Sequence, residues 1–232
     1  MMEEERGLTP FITNGRQEII SAAPLVTVET TEAAAAHLAA HLADGAVKVA
    51  HEAGHLICAA MLPPELGGPI AAASVSIKGA SSGYTELTSG DDTEQRFTRA
   101  SRLRGQLVLF LAGMEAERAL FDEPTDGSSS DYGKASAHIE SMMNAALIED
   151  APLTMTDGLY YHHRPAQWVN ARYKIIEREM RWAREQARAI IAEHRDLVLR
   201  FAQELLIRRR MDGEEIDAVL TRLGVVPPPR KP

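Results

Sequence analysis

The sequence predicts a mainly α-helical, α+β domain with a small β-sheet and a C-terminal helical hairpin. Apolar residues recur at helical spacing through most of the 232 residues, the pattern of helices with one buried face. Strand-like alternation is confined to two short stretches between residues 74 and 88, so any sheet is small. The highly charged segment 165–210 keeps an apolar face at helical spacing, as two helices packed on a core would.

Taken in order, residues 1–28 are mixed in composition, with at most a short helix near Gln17–Ala22 ahead of Pro24. We expect a partly ordered arm there. Thr30 or Thr31 can cap an alanine-rich helix that runs to about Ala43 and breaks at Asp44-Gly45. A second helix, about Ala46 to Leu62, is stopped by Pro63-Pro64. Ser74-Val75-Ser76-Ile77 alternates polar and apolar residues, Gly79 to Gly83 is a turn, and Tyr84 to Thr88 reads as the partner strand.

Asp92 and Gln95 have the spacing of a capping box. They predict a helix from there to about Phe121, with Leu103, Leu107, Phe110, Leu111 and Met114 as its core face. After a Gly/Ser loop, Asp131 stands at the start of a helix reaching about Leu147. Residues 148–164 form a loop containing His162-His163, which are adjacent and so cannot share a helical face. Helices follow over Pro165–His194 and on to about Arg209, then a short one capped by Asp212 and ended by Gly224. The expected organisation is an arm at 1–28, one domain at 29–224 and a Pro-rich tail at 225–232.

Composition excludes several classes. A net charge of −8 disfavours nucleic acid and anionic membrane surfaces as partners. One cysteine rules out an internal disulfide. The longest strongly apolar run, Leu107 to Met114, falls short of the roughly 20 residues that span a bilayer. The N-terminus, Met1-Met2-Glu3-Glu4-Glu5, is acidic where a signal peptide is basic. We therefore expect a cytoplasmic protein with no membrane insertion.

The chemistry concentrates in Val49-Ala50-His51-Glu52-Ala53-Gly54-His55-Leu56, an H-E-x-x-H pattern inside an apolar helical segment. Positions i and i+4 share a helical face, so His51 and His55 can present two imidazoles to one metal ion. Glu52 lies about 100° round the helix, where it can reach a metal-activated water and take its proton without ligating the ion. This is the zincin arrangement. His37 and His41 have the same spacing but lack the glutamate, and read as the polar edge of an ordinary helix. A catalytic zinc uses three protein ligands, and chemistry alone leaves Glu115, Glu117, Asp131 and His138 as candidates for the third. The stretch Gly127 to Ala135 looks superficially like a phosphate-binding loop, but its glycine spacing is wrong and Ala135 stands where a Mg²⁺-binding hydroxyl is needed. Cys58 reads as a small packed residue.

Val49-Ala50-His51-Glu52-Ala53-Gly54-His55 resembles the zinc motif of the peptidase domain of FtsH-type AAA proteases. Val75-Ser76-Ile77 with Gly83-Tyr84-Thr85 is similar to that family's strand segment. Leu111 to Glu117 is similar to its Gly-Gly-Arg-Ala-Ala-Glu helix, and Gly127-Ser128-Ser129-Ser130-Asp131 to its Gly-Ala-Ser-x-Asp segment. Leu205-Leu206 and Asp212 to Ile216 resemble its C-terminal end, so the likeness covers about residues 45–222.

The resemblance implies a helical zincin-like peptidase domain, with His51, His55 and Asp131 as zinc ligands and Glu52 as the base. It places Glu117 where it would orient a ligand histidine. It implies a hydrolase acting on unfolded polypeptide, with Val75, Ser76, Ile77, Gly83 and Tyr84 binding an extended substrate by β-addition to the Val75–Ile77 strand. It also implies a homo-oligomer, a hexamer, and a separate ATPase as possible partner, since the family's transmembrane and AAA parts are not in this sequence. Met114-Glu115 departs from the family's Arg-Ala, and residues 148–164 depart from its Gly-Met-Ser pattern. The alternative is a non-degrading zinc-containing peptide-binding or assembly module, which has no need of Glu52.

Overall fold

A computed structural model describes residues 45–78, 82–88, 98–152 and 166–230. The expected arm at 1–28, the alanine-rich helix, the Asp92–Gln95 capping box and His162-His163 lie outside the described residues.

The central element is helix α1, Ala46–Ala60. It is buried on nearly every side, including Val49, Ala53, Leu56 and Ile57, as expected of a helix apolar around most of its circumference. Met61 closes it, and Pro63 introduces a single 3₁₀ turn, Pro64–Leu66. The chain then enters strand β1, Ala72–Lys78, and returns as β2, Ser82–Leu87. A third strand, β3, Arg210–Asp212, comes from the far end of the chain. The sheet order is β2-β1-β3 and both pairings are antiparallel, with Val75 opposite Thr85 on one side and Met211 on the other.

Helix α2 spans Ala100–Phe121. It does not start at Asp92, as the capping pattern predicts, because Arg99 has extended backbone (φ −66°, ψ 145°) and a continuous helix cannot pass through it. Asp122 ends α2 in the left-handed region (φ 67°). After the 3₁₀ turn Asp126–Ser128, helix α3 covers Ser129–Asn144 and stops short of Leu147, since Ala146 turns left-handed (φ 55°).

Helices α4, Ala166–Glu193, and α5, Arg195–Arg208, form the C-terminal pair and divide their packing: α4 lies chiefly on α2 and α5 chiefly on α1. Phe201, Leu199 and Leu205 of α5 and Ala183, Ala187 and Ile191 of α4 join Leu56, Ile57, Leu107 and Leu111 in one core. Helix α6, Gly213–Arg222, opens with a complete capping box: Asp212 accepts from the Glu215 amide, and Glu215 accepts from the Asp212 amide, each at 3.0 Å. No helix among the described residues is long and apolar enough to cross a membrane.

Close approach of α1 and α2 brings the motif helix against the partners it needs. A Cβ on Gly54 would lie 2.4 Å from the Ala116 Cβ and 2.9 Å from the Ala112 carbonyl oxygen, so only a bare Cα fits there. At the same crossing, Gly113 of α2 lies against the His51 ring.

Candidate metal centre

Three predicted residues meet where α1, α2 and the first turn of α3 converge. His51 and His55 come from successive turns of α1, and Asp131 from the first turn of α3. One ligand atom from each lies within 4.8 Å of the other two. Asp131 Oδ2 is 3.1 Å from His51 Nε2 and 3.5 Å from His55 Nε2, and the two Nε2 atoms are 3.0 Å apart.

The hydrogen bonds behind the rings show what this group is fit to hold. His55 Nδ1 lies 2.8 Å from the Leu109 carbonyl, which can only accept, so this nitrogen carries a proton. His51 Nδ1 lies 2.6 Å from Glu117 Oε1 and is assigned its proton by the same argument. Both neutral rings then turn Nε2 lone pairs towards each other and towards a carboxylate oxygen. Three lone-pair donors at these distances repel one another unless a cation sits among them, so the residues fit a metal ion.

A proton satisfies the group in part when no metal is bound. Burial works against a charged His51, but hydrogen bonds to Asp131 and Glu117 outweigh it and raise its pKa above 6.5. Burial likewise works against the Asp131 carboxylate, yet His51, His55 and Lys134 together hold it well below the usual carboxylate range. Lys134 Nζ donates to Asp131 Oδ1 at 2.9 Å, which leaves Oδ2 as the oxygen facing the histidines.

Glu117 is buried behind His51, on α2. Its Oε2 accepts from the Thr125 amide at 2.6 Å and from the Thr125 hydroxyl at 3.0 Å. Against the cost of burial, these bonds and His51 keep its pKa lowered. The remaining candidates for a third ligand point elsewhere. Glu115, two residues earlier and therefore on another face of α2, accepts from Arg184 Nε and Arg188 Nε of α4, each at 2.8 Å. His138 Nε2 donates to the Leu103 carbonyl at 2.9 Å.

Glu52 is buried at 2% exposure beside the histidines but outside the three-donor group. Lys48 Nζ lies 3.1 Å from its Oε1, and the Thr85 hydroxyl donates to its Oε2 at 2.8 Å. Gly83 lies against it as well: a Cβ there would be 3.0 Å from Glu52 Cγ and Oε1. Strand β2 thus forms one wall of the Glu52 pocket through Gly83 and Thr85, which share a face of the strand.

The expected pairing of substrate with Val75, Ser76 and Ile77 is corrected by the sheet order. That strand, β1, is the middle one: β2 occupies one edge, and β3 with the Arg209 carbonyl, 2.7 Å from the Ile77 amide, occupies the other. A strand paired on both sides has no backbone groups left for a peptide. Among the described residues the sheet's two edge strands are β2, which contains Gly83 and Tyr84, and the three-residue β3; of the two, β2 lies against Glu52.

Comparison with known proteins agrees with this geometry. The profile of peptidase family M41 matches residues 46–219, a span that contains every residue of the site. The chain belongs to peptidase family M41. Among its relatives, "ATP-dependent zinc metalloprotease FtsH 1" of Thermomicrobium roseum is 27% identical over 181 residues, which is 73% of this chain and 27% of that protein. FtsH 2 of Sphaerobacter thermophilus is 29% identical over 184 residues, 78% of this chain and 26% of its own. FtsH of Paraburkholderia phymatum is 30% identical over 191 residues, 75% of this chain and 29% of its own. The chain spans less than a third of the length of these M41 relatives.

Sequence reasoning missed five contributors to the site: Lys48, Thr85, Thr125, Lys134 and the Leu109 carbonyl. Lys48 and Glu52 stand at i, i+4, a signal that could have found the first. The backbone carbonyl carries no signal of its own, and Thr125 meets Glu117 only after the left-handed Asp122 has ended α2.

Proposed function

We propose that this chain is a zinc-dependent endopeptidase acting on unfolded or flexible polypeptide. The observation that carries the reading is the set of three lone-pair donors, His51 Nε2, His55 Nε2 and Asp131 Oδ2, with the buried Glu52 carboxylate beside it. Two imidazoles and one carboxylate are a catalytic zinc set, and the relatives are named zinc metalloproteases. When bound there, zinc supplies a Lewis acid and an acidified water.

The chain's own residues do the rest. The Leu109 carbonyl and Glu117 hold the Nδ1 protons, so that both Nε2 lone pairs point inward. Lys134 keeps Asp131 charged and turned one oxygen towards the histidines. Glu52 accepts a proton at its carboxylate as water attacks the scissile carbonyl, and returns it to the leaving nitrogen. An extended substrate adds as a fourth strand on the open edge of β2, so Gly83 and Tyr84 contact it and backbone is read more than side chain. Because Thr85 and Gly83 also line the Glu52 pocket, a peptide on that edge lies close to the base.

In this reading the peptidase unit is residues 29–224, flanked by an arm and a tail, and works in the cytoplasm. It acts in a hexameric ring fed by an ATPase, by analogy with the relatives' names and with the resemblance in sequence. The test is hydrolysis of an unfolded protein such as reduced casein. Turnover that is lost with a chelator and restored by zinc is the expected result, and zinc-loaded protein that binds peptide without cutting it would sink the proposal.

A further inference from the structure

We propose that Lys48 is a positioning residue that holds the Glu52 carboxylate in its working orientation; this rests on the reading of Glu52 as the base. Glu52 is buried, and a buried carboxylate is costly unless its oxygens are satisfied. Each of its two oxygens has one charged or hydroxyl partner: Lys48 Nζ at 3.1 Å on Oε1 and Thr85 Oγ1 at 2.8 Å on Oε2. The two partners come from different elements, one turn back along α1 and across on β2, so together they set the plane of the carboxylate. Gly83 closes the third side: a Cβ there would stand 3.0 Å from Glu52 Cγ and Oε1 and crowd the carboxylate.

Lys48 differs from an ordinary helix-surface lysine in an i, i+4 pair. Its side chain is 16% exposed and that of Glu52 3%, whereas exposed pairs are screened and fluctuate among rotamers. A base must sit within about 2.6–3.2 Å of the proton it takes, and misplacement by about 1 Å can cost roughly 100-fold in rate. Losing the ammonium frees Oε1 and lets the carboxylate turn about Thr85. Lys48 makes its ion pair with Glu52 and not with His51, His55 or Asp131, and its charge acts on His51 only through space, so its loss removes no contact from the metal ligands.

The experiment compares Lys48→Met, Lys48→Gln and Lys48→Arg with the wild type, on the zinc-loaded chain with an unfolded protein substrate. We expect kcat to fall about 10- to 100-fold in the first two, with KM and zinc content unchanged, and partial recovery in Lys48→Arg. Crystals of metal-free Lys48→Met should show Glu52 in more than one rotamer where the wild type has one, and this readout does not depend on turnover. Unchanged kcat in Lys48→Met and Lys48→Gln, or a single wild-type Glu52 rotamer in the Lys48→Met crystal, would overturn the proposal. Loss of zinc in both variants would do so too, by making Lys48 part of the fold rather than of the base's setting. Failure of the enzyme reading itself shows differently: Glu52→Gln keeps wild-type turnover, or the wild type has none while the rotamers still diverge.

Discussion

Gly113→Ala places a methyl group against the ring of His51. The ideal Cβ lies 2.6 Å from His51 Cε1 and Nε2 and 2.7 Å from Cδ2. Ordinary contact begins near 3.4 Å, so ring and helix must separate by about 0.8 Å. Neither has that freedom. His51 Nδ1 is held at 2.6 Å by Glu117, which Thr125 holds in turn. Helix α2 is in contact with α1 through Ala116 and Ala112 at Gly54. Overpacking of this kind costs about 1–3 kcal/mol, and a ligand set tolerates displacement of only about 0.5 Å. Zinc affinity should therefore fall by about 10- to 100-fold or more, measured by competition with a chromogenic chelator. Gly133→Ala is the control: it lies in α3 with nothing within 4 Å of the new Cβ, and should gain about 0.4–1 kcal/mol. Gly113→Ala with wild-type zinc affinity and an unchanged melting temperature would refute the geometry of the His51 pocket.

Three further outcomes follow from other contacts. Glu117→Gln keeps an acceptor for His51 but turns an amide N–H towards the Thr125 amide, donor against donor; zinc affinity should drop by about 10- to 100-fold, read in the same competition assay. Asp212→Ala removes half of the α6 capping box and should cost about 1 kcal/mol, seen as a lower melting temperature by calorimetry. Burial pushes the Cys58 thiol up to about 12 from an ordinary 9.0. The folded state therefore holds that proton more tightly than the unfolded one, a contribution to stability present below pH 9 and lost as pH rises from 9 towards 12. Native protein should accordingly resist a thiol reagent at pH 8 and react once unfolded; rapid labelling of native protein would count against it.

Local patterns carried most of the elements. The Asp212 cap, the Pro63-Pro64 stop and the alternation at Ser74–Ile77 each declare themselves in a few adjacent residues, and each falls in the described elements close to where it is read. The Asp92–Gln95 pattern did not open α2, because a capping signal says nothing about extended backbone seven residues on, at Arg99. Strand β3 is three residues long and preceded by arginines, too short for alternation to register; without it β1 reads as an edge, which is why a pairing partner was expected on β1. The metal site divides the same way. His51, Glu52 and His55 are legible because one helix sets their spacing. Asp131, some 80 residues away, is one of four chemically equal choices until a family pattern or a structure singles it out. What separates Glu117 from Glu115 is the face of α2 each occupies, and that depends on where α1 crosses.

The central claim is that a single zinc and Glu52 together hydrolyse peptide bonds. We would measure zinc content by mass spectrometry and casein hydrolysis on the same preparations of wild type and Glu52→Gln. The account predicts one zinc per chain in both, with cleavage by the wild type alone. Equal cleavage by Glu52→Gln, or wild-type protein that cleaves without zinc, would contradict it.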